Sequence, residues 1–314
     1  MRIAVFGTGG VGGYFGAKLT VAGNDVAFIA RGAHLAAMRR DGLRVKSGGG
    51  DIAVRSVVAT DDPSSLAPVD VVMLCVKLWA VEDAAAQVAP LLGRHGAVIA
   101  LQNGIDSPEI LSRVVGDARV LGGVAYIAAA IGAPGVIVHT GSMAKLRVGA
   151  FDTAVPASRG ERADRASDFV RACTSAGIDA EVAPDIRRAI WEKFVFLTAL
   201  SGVTALSRQP VGAVRSDPDL RAAFAAAMKE TVALARAQNV ALPDDFLPKQ
   251  MRAIDGLPAQ MHSSMQNDLL AGRRLEAPWL CGRVAELSAA AGIAAPVNAT
   301  IYAGLKPFVN GAPR

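Results

Sequence analysis

The sequence predicts an α/β domain followed by an all-helical one, on three observations. Residues Met1–Arg31 read as strand, glycine-rich turn, helix and second strand. Apolar strand runs then alternate with helical patterns as far as Val182. After Pro184-Asp185 the pattern is helical nearly throughout. The expected domains are therefore 1–183 and 184–314. At 314 residues the chain is long for one domain and comfortable for two.

In the opening, Arg2–Phe6 is a short run of β-formers, and Gly7-Thr8-Gly9-Gly10-Val11-Gly12-Gly13 follows at once. A helical pattern runs to Ala22-Gly23, and Asp25–Ala30 is a second apolar strand. A G-x-G-x-x-G between a first strand and a helix is the setting of a Rossmann-type dinucleotide site. Gly7 allows the tight turn, Gly9 lets a pyrophosphate approach the backbone, and Gly12 lets the helix lie close on the sheet. The helix N-terminus then offers unpaired N–H groups and its positive dipole end. The candidate cofactor-binding turn is thus Gly7, Thr8, Gly9, Gly10, Val11 and Gly12; the plainer alternative is a tight turn beside an empty crevice. An NAD site usually carries Asp or Glu at the end of the second strand. This strand ends Phe28-Ile29-Ala30-Arg31, without an acid. Arg31 presents a charged fork suited to a 2′-phosphate, so the expected cofactor is NADPH/NADP+.

Ala33–Arg40 reads as a short helix, with strands at Leu43–Lys46 and Ile52–Val58 around Ser47-Gly48-Gly49-Gly50. Val69–Val76 is a buried parallel strand apart from Asp70, and it ends at Lys77. A helix from Val81 to Leu92 leads to the strand Ala97–Leu101, which ends at Gln102-Asn103-Gly104. Lys77 and Asn103 are each the first or second polar residue past a strand's carboxyl end, the edge where ligands sit in open α/β sheets. Strands at Val120–Ala130, Val136–Thr140 and Leu146–Gly149 follow without intervening helices, so the sheet should turn antiparallel there. A linker of small residues, Phe151–Arg159, precedes a helix to Ala176 and the strand Ile178–Val182.

In the helical half, Ile186, Ile190, Lys193 and Leu197 recur at steps of four, three and four, placing Lys193 on an apolar seam. A lysine there must snorkel out, find a partner or open into a cavity. Asp217-Pro218 starts the next long helix, to Asn239. Pro243–Pro258 is irregular or short helices, His262–Asp268 opens a helix ended by Gly272, another spans Pro278–Ala291, and Pro296 begins the last.

Composition narrows the function. An apolar fraction of 52% requires a large core. The uncharged run Val120–Val138 is broken by Gly132-Ala133-Pro134-Gly135 and fits two strands better than a membrane span. Neither a membrane segment nor a signal peptide is expected, and the three separated cysteines, Cys75, Cys173 and Cys281, suit a reducing cytoplasm and form no metal-ligand spacing. The net charge of +5 is spread along the chain, which suits small anionic ligands rather than nucleic acid.

Taken in order, Gly7-Gly9-Gly12, Arg31, Asn103-Gly104, Trp191-Glu192-Lys193, Ser263-Ser264-Met265 and Glu276 resemble the ketopantoate reductase (2-dehydropantoate 2-reductase) family over essentially the full length. The resemblance implies a Rossmann domain, a helical domain and an active site in the cleft between them. It implies NADPH-dependent reduction of 2-dehydropantoate to (R)-pantoate, on the way to pantothenate and coenzyme A. It further implies that Lys193 donates a proton to the ketone oxygen and that Glu276 orients the substrate hydroxyl near it. Ser264 would bind the substrate carboxylate, Asn103 would lie near nicotinamide and substrate, Lys77 on the cofactor side, and Arg31 would read the 2′-phosphate. The partner is then a small anionic 2-oxo acid, and a homodimer is compatible with the family. Two departures stand out. Leu197 and Ser201 occupy substrate-side positions where the family often has asparagines. Ala277-Pro278-Trp279-Leu280-Cys281-Gly282 replaces the family's Ile-Asp-x-x-Asn-Gly. Reduction of another branched 2-oxo acid, or a non-catalytic NADP(H)-binding sensor, are the alternatives these departures raise.

Overall fold

The computed structural model describes residues 1–151 and 159–312; the linker expected at Phe151–Arg159 falls mostly outside them. The chain divides into two compact units, one of Met1–Gln102 with Asp106–Ala189, the other of Asn103–Ile105 with Ile190–Arg314.

The first unit holds one ten-stranded sheet. Its elements run β1 (Arg2–Phe6), α1 (Gly10–Val21), β2 (Asp25–Ile29), α2 (Gly32–Asp41), β3 (Leu43–Ser47), β4 (Ile52–Val54), β5 (Val58–Thr60) and β6 (Val69–Leu74). They continue through α3 (Val81–Val88), β7 (Leu92–Ala100), α4 (Ser107–Val115), β8 (Val120–Ala133), β9 (Val136–Ala150), α5 (Arg159–Ser175) and β10 (Asp179–Val182). The order is β4-β3-β9-β8-β7-β6-β1-β2-β5, with β10 beside β9. From β5 to β8 every pairing is parallel, and β8 and β9 pair antiparallel as expected. Side-chain alternation sends Ile3, Val5, Val71 and Met73 to the face covered by α1, α2 and α5. Ala4, Phe6, Val72 and Leu74 face α3 and α4. Fully apolar strands buried on both sides are what such a three-layer arrangement demands.

Three differences from the sequence reading have local causes. Ile52–Val58 is two strands: β4 pairs with β3 and β5 with β2, at opposite ends of the order. Only residues 55–57 join them, so the sheet must curl around α1, which packs on β2, β3, β4, β8 and β9. Val136–Thr140 and Leu146–Gly149 are one strand, β9; its interruption at Gly141 (φ +79°) is absorbed where the ladder with β8 shifts register. The short helix α4 was not anticipated.

The second unit is helical: α6 (Ile186–Ser207, whose first four residues belong to the first unit), α7 (Val211–Ser216), α8 (Pro218–Ala237), α9 (Phe246–Asp255), α10 (Ser264–Leu270), α11 (Cys281–Ala290) and α12 (Pro296–Leu305). Asp185 accepts from the Arg188 N–H and starts α6; Asp217 caps α8 by accepting from the Asp219 and Leu220 N–H groups. The α6 helix is long and apolar enough to cross a membrane, but it is mostly buried within the protein, as a core helix would be. Glu230 on α8 caps α12, accepting from the N–H groups of Val297 (2.8 Å) and Asn298 (2.9 Å).

Candidate active site

In the first unit, β1 lies in register between β2 and β6, with Phe6 opposite both Ile29 and Leu74. These three strand ends therefore bring the glycine turn, Arg31 and Lys77 to one edge. Gly7 has φ +97°, and a Cβ there would stand 2.9 Å from the Cys75 and Val76 backbone. The N–H groups of Gly7 and Thr8 both donate to Ile29 O at 3.1 Å, and Thr8 Oγ1 donates to the same carbonyl at 3.0 Å. Buried Thr8 thus clamps the turn to β2, and its hydroxyl is occupied.

A Cβ on Gly12 would meet Gly7 O at 2.5 Å, which is the close helix–strand approach expected of that position. Gly10 answers to a different contact: a Cβ would stand 2.0 Å from Ala129 O, where β8 crosses the start of α1. Val11 is half-buried against the core. At Gly9 a Cβ would meet nothing within 4 Å. No protein contact requires glycine there, whereas a group bound against the backbone would. Gly9 also brings no side chain to cap α1, whose first N–H groups lack intrahelical partners.

Arg31 is exposed at the N-cap of α2. Lys77 is exposed, with its ammonium 5.7 Å from the Trp79 ring centroid. Sequence reasoning passed over Gln102, which ties two strand ends together: its Nε2 donates to Leu74 O (2.8 Å) and Val76 O (3.2 Å). Its signal was its place as the first polar residue after β7.

In the second unit Lys193 finds partners. Its Nζ donates to Asn103 Oδ1 at 2.7 Å. Glu276, only 6% exposed, acts on the same ammonium. Burial pulls the Lys193 pKa down from 10.5 to about 8, against the pull of the Glu276 carboxylate, which favours the charged form. Such an amine is mostly protonated at neutral pH yet gives its proton up readily.

The other substrate-side positions are placed differently. Ser264 is exposed at the start of α10. Its neighbour Ser263 is the structural residue, capping α10 by accepting from the Gln266 N–H (3.1 Å) and bonding Thr204 Oγ1 (2.8 Å). Leu197, one turn past Lys193, is half-buried, while Ser201 is enclosed and its hydroxyl has no hydrogen-bond partner among the described residues. Among the described residues the structure therefore gathers Asn103, Lys193 and Glu276, and joins neither Ser264 nor Ser201 to them by a hydrogen bond. No group of three His, Cys, Asp or Glu side chains among the described residues is placed to hold a metal ion.

A dinucleotide-type glycine turn on one unit and a lysine of lowered pKa on the other fit the equipment of an oxidoreductase. Residues 3–153 match the family model described as "Ketopantoate reductase PanE/ApbA", and residues 185–308 match "Ketopantoate reductase PanE/ApbA C terminal". The chain belongs to the ketopantoate reductase family. It is 32% identical over 308 residues to a 2-dehydropantoate 2-reductase of Mesorhizobium japonicum, covering 91% of each chain. It is similar to a crystal structure of a PanE/ApbA family ketopantoate reductase from Ralstonia eutropha, with a TM-score of 0.88, 30% identity and 98% of each chain covered. A D-mandelate dehydrogenase solved with NADH and anilino(oxo)acetate shares the fold, with a TM-score of 0.88 at 19% identity and 98% of each chain covered.

Proposed function

We propose that this chain reduces 2-dehydropantoate (ketopantoate) to (R)-pantoate with NADPH, a cytoplasmic step toward pantothenate and coenzyme A. The observation that carries the reading is Lys193, held by Asn103 beside Glu276 with its pKa drawn down to about 8. The open space at Gly9 and the free-standing Arg31 fit a dinucleotide bearing a 2′-phosphate.

When bound, the nicotinamide supplies the hydride that the ketone carbon accepts. Lys193 passes a proton from Nζ to the ketone oxygen as the C=O π bond gives way, so an alcohol forms. The neutral amine then recovers its proton from water. Before transfer, the ammonium's charge stabilises the negative charge growing on that oxygen. Asn103 Oδ1 holds one N–H of the ammonium and so limits its rotation. Glu276 keeps the amine protonated and, by family resemblance, orients the substrate's hydroxyl. Arg31 and Lys77 bind the cofactor's anionic groups, and Ser264 the substrate carboxylate.

Turnover with ketopantoate, ketoisovalerate and pyruvate, each with NADPH and NADH, tests the reading. The expected result is the highest kcat/KM for ketopantoate with NADPH. Leu197 supports a second reading, since a half-buried apolar side chain one turn from Lys193 suits a branched 2-oxo acid without a hydroxyl. Ketoisovalerate turned over faster than ketopantoate would establish that one. NADPH binding without oxidation across the panel would establish a sensor instead.

A further inference from the structure

The α2 helix starts directly after Arg31, and its third residue, His34, meets two separate backbone segments. The Gly135 N–H, in the turn between β8 and β9, donates to His34 Nδ1 at 3.0 Å. That bond leaves Nδ1 unprotonated and puts the ring proton on Nε2. Nε2 is buried and makes no hydrogen bond among the described residues, although the Thr8 backbone, in the glycine turn itself, is near enough to act on the ring.

Both segments are anchored. Thr8 is fixed to β2 through Ile29 O. Gly135 O accepts from the Arg44 N–H at 2.9 Å, and a Cβ on Gly135 would stand 3.2 Å from Ala37 Cβ, one turn further along α2. Arg31 and His34 are three residues apart, on one side of the first turn of α2. Arg31 is exposed, and its side chain makes no hydrogen bond or ion pair among the described residues. Nothing but the backbone beneath it therefore sets where its guanidinium begins, and His34 holds that backbone.

We propose that His34 is a positioning residue for recognition of the adenosine 2′-phosphate: by accepting from the Gly135 N–H it pins the first turn of α2 to the β8–β9 turn and so fixes the base of Arg31. This rests on the reading of Arg31 given above. An arginine rising from a fixed helix start loses less freedom on binding than one rising from a loose start, and its affinity is higher by that difference. The effect belongs to NADPH alone, because NADH offers Arg31 no 2′-phosphate.

Dissociation constants of the full-length protein for NADPH and NADH, read by cofactor fluorescence, test this in the wild type and in R31A, H34L, H34N and R31A/H34L. H34L is expected to weaken NADPH about tenfold, the loss of a hydrogen-bonded contact, while NADH stays within about twofold. Asparagine can still accept from the Gly135 N–H, so H34N should keep both affinities within about twofold of wild type. Adding H34L to R31A should leave the NADPH-to-NADH ratio where R31A put it. Equal weakening of both cofactors by H34L, no weakening of NADPH, or a further selective loss in the double variant would each overturn the proposal. Should H34L not fold, H34A reads the same ratio. If R31A alone leaves the NADPH-to-NADH ratio of dissociation constants unchanged, the reading of Arg31 fails and this proposal with it; if R31A raises that ratio and H34L does not, only this proposal fails.

Discussion

Replacing Glu276 by glutamine keeps the shape of the side chain and removes its charge from beside Lys193. Two opposed causes set the Lys193 pKa near 8: burial, which is the larger and lowers it, and the Glu276 carboxylate, which raises it. Glutamine leaves burial unopposed, so the pKa must fall further. A close carboxylate shifts an ammonium by about one unit or more, which puts the variant near or below neutrality. On the proposed mechanism reduction needs the protonated amine, so activity should be present below the Lys193 pKa and lost as pH rises through it. In the wild type kcat/KM should decline above about pH 8, by about tenfold per unit. In E276Q the same limb should begin about one unit lower. The oxidation of (R)-pantoate needs the neutral amine and should show the mirror image, rising through the same pH. The assay is NADPH oxidation between pH 6 and pH 10, with kcat/KM taken at each pH because it reports the free enzyme. An alkaline limb that stays in place, or moves upward, in E276Q would refute the coupling of these two residues.

Three further outcomes follow from the packing. G9A should leave stability within about 0.5 kcal/mol, because its Cβ meets no protein atom, yet weaken NADPH at least about tenfold; thermal melts and fluorescence titration check it. G12A should instead cost about 1–3 kcal/mol in a denaturant melt, because its Cβ would press on Gly7 O. E230A should cost about 1–3 kcal/mol by uncapping α12 while leaving NADPH affinity unchanged, read by melting and titration together.

The parts of this fold that were legible in the sequence are those fixed by neighbours along the chain. The β1–α1–β2 opening follows from an apolar run, a turn that needs Gly7 at positive φ, and a helix of small and apolar residues that returns the chain, all within Met1–Ile29. The start of α8 at Pro218 follows from Asp217, a cap whose oxygen reaches only its own helix. The α4 helix carried its signals too, with Pro108 at its start and Gly116 just past its end, but it is only nine residues long, shorter than the window over which a helical period is read. The strand β9 read as two because Gly141-Ser142 has turn chemistry, while the partner strand that carries it through lies elsewhere in the chain.

The site divides the same way. Spacing put Lys193 on a buried seam, but its partner Asn103 comes from 90 residues away, and no local pattern encodes that meeting. Nor could the sequence separate the glycines by task. The structure does: Gly10 and Gly12 make room for protein atoms, and Gly9 makes room for none.

Lys193→Met offers the most direct measurement, because methionine keeps an unbranched chain and removes the proton donor. Steady-state reduction of 2-dehydropantoate by the variant should fall by about a hundredfold to ten-thousandfold, with the dissociation constant for NADPH unchanged. Reduction at the wild-type rate by a folded Lys193→Met protein would contradict the claim that this amine delivers the proton.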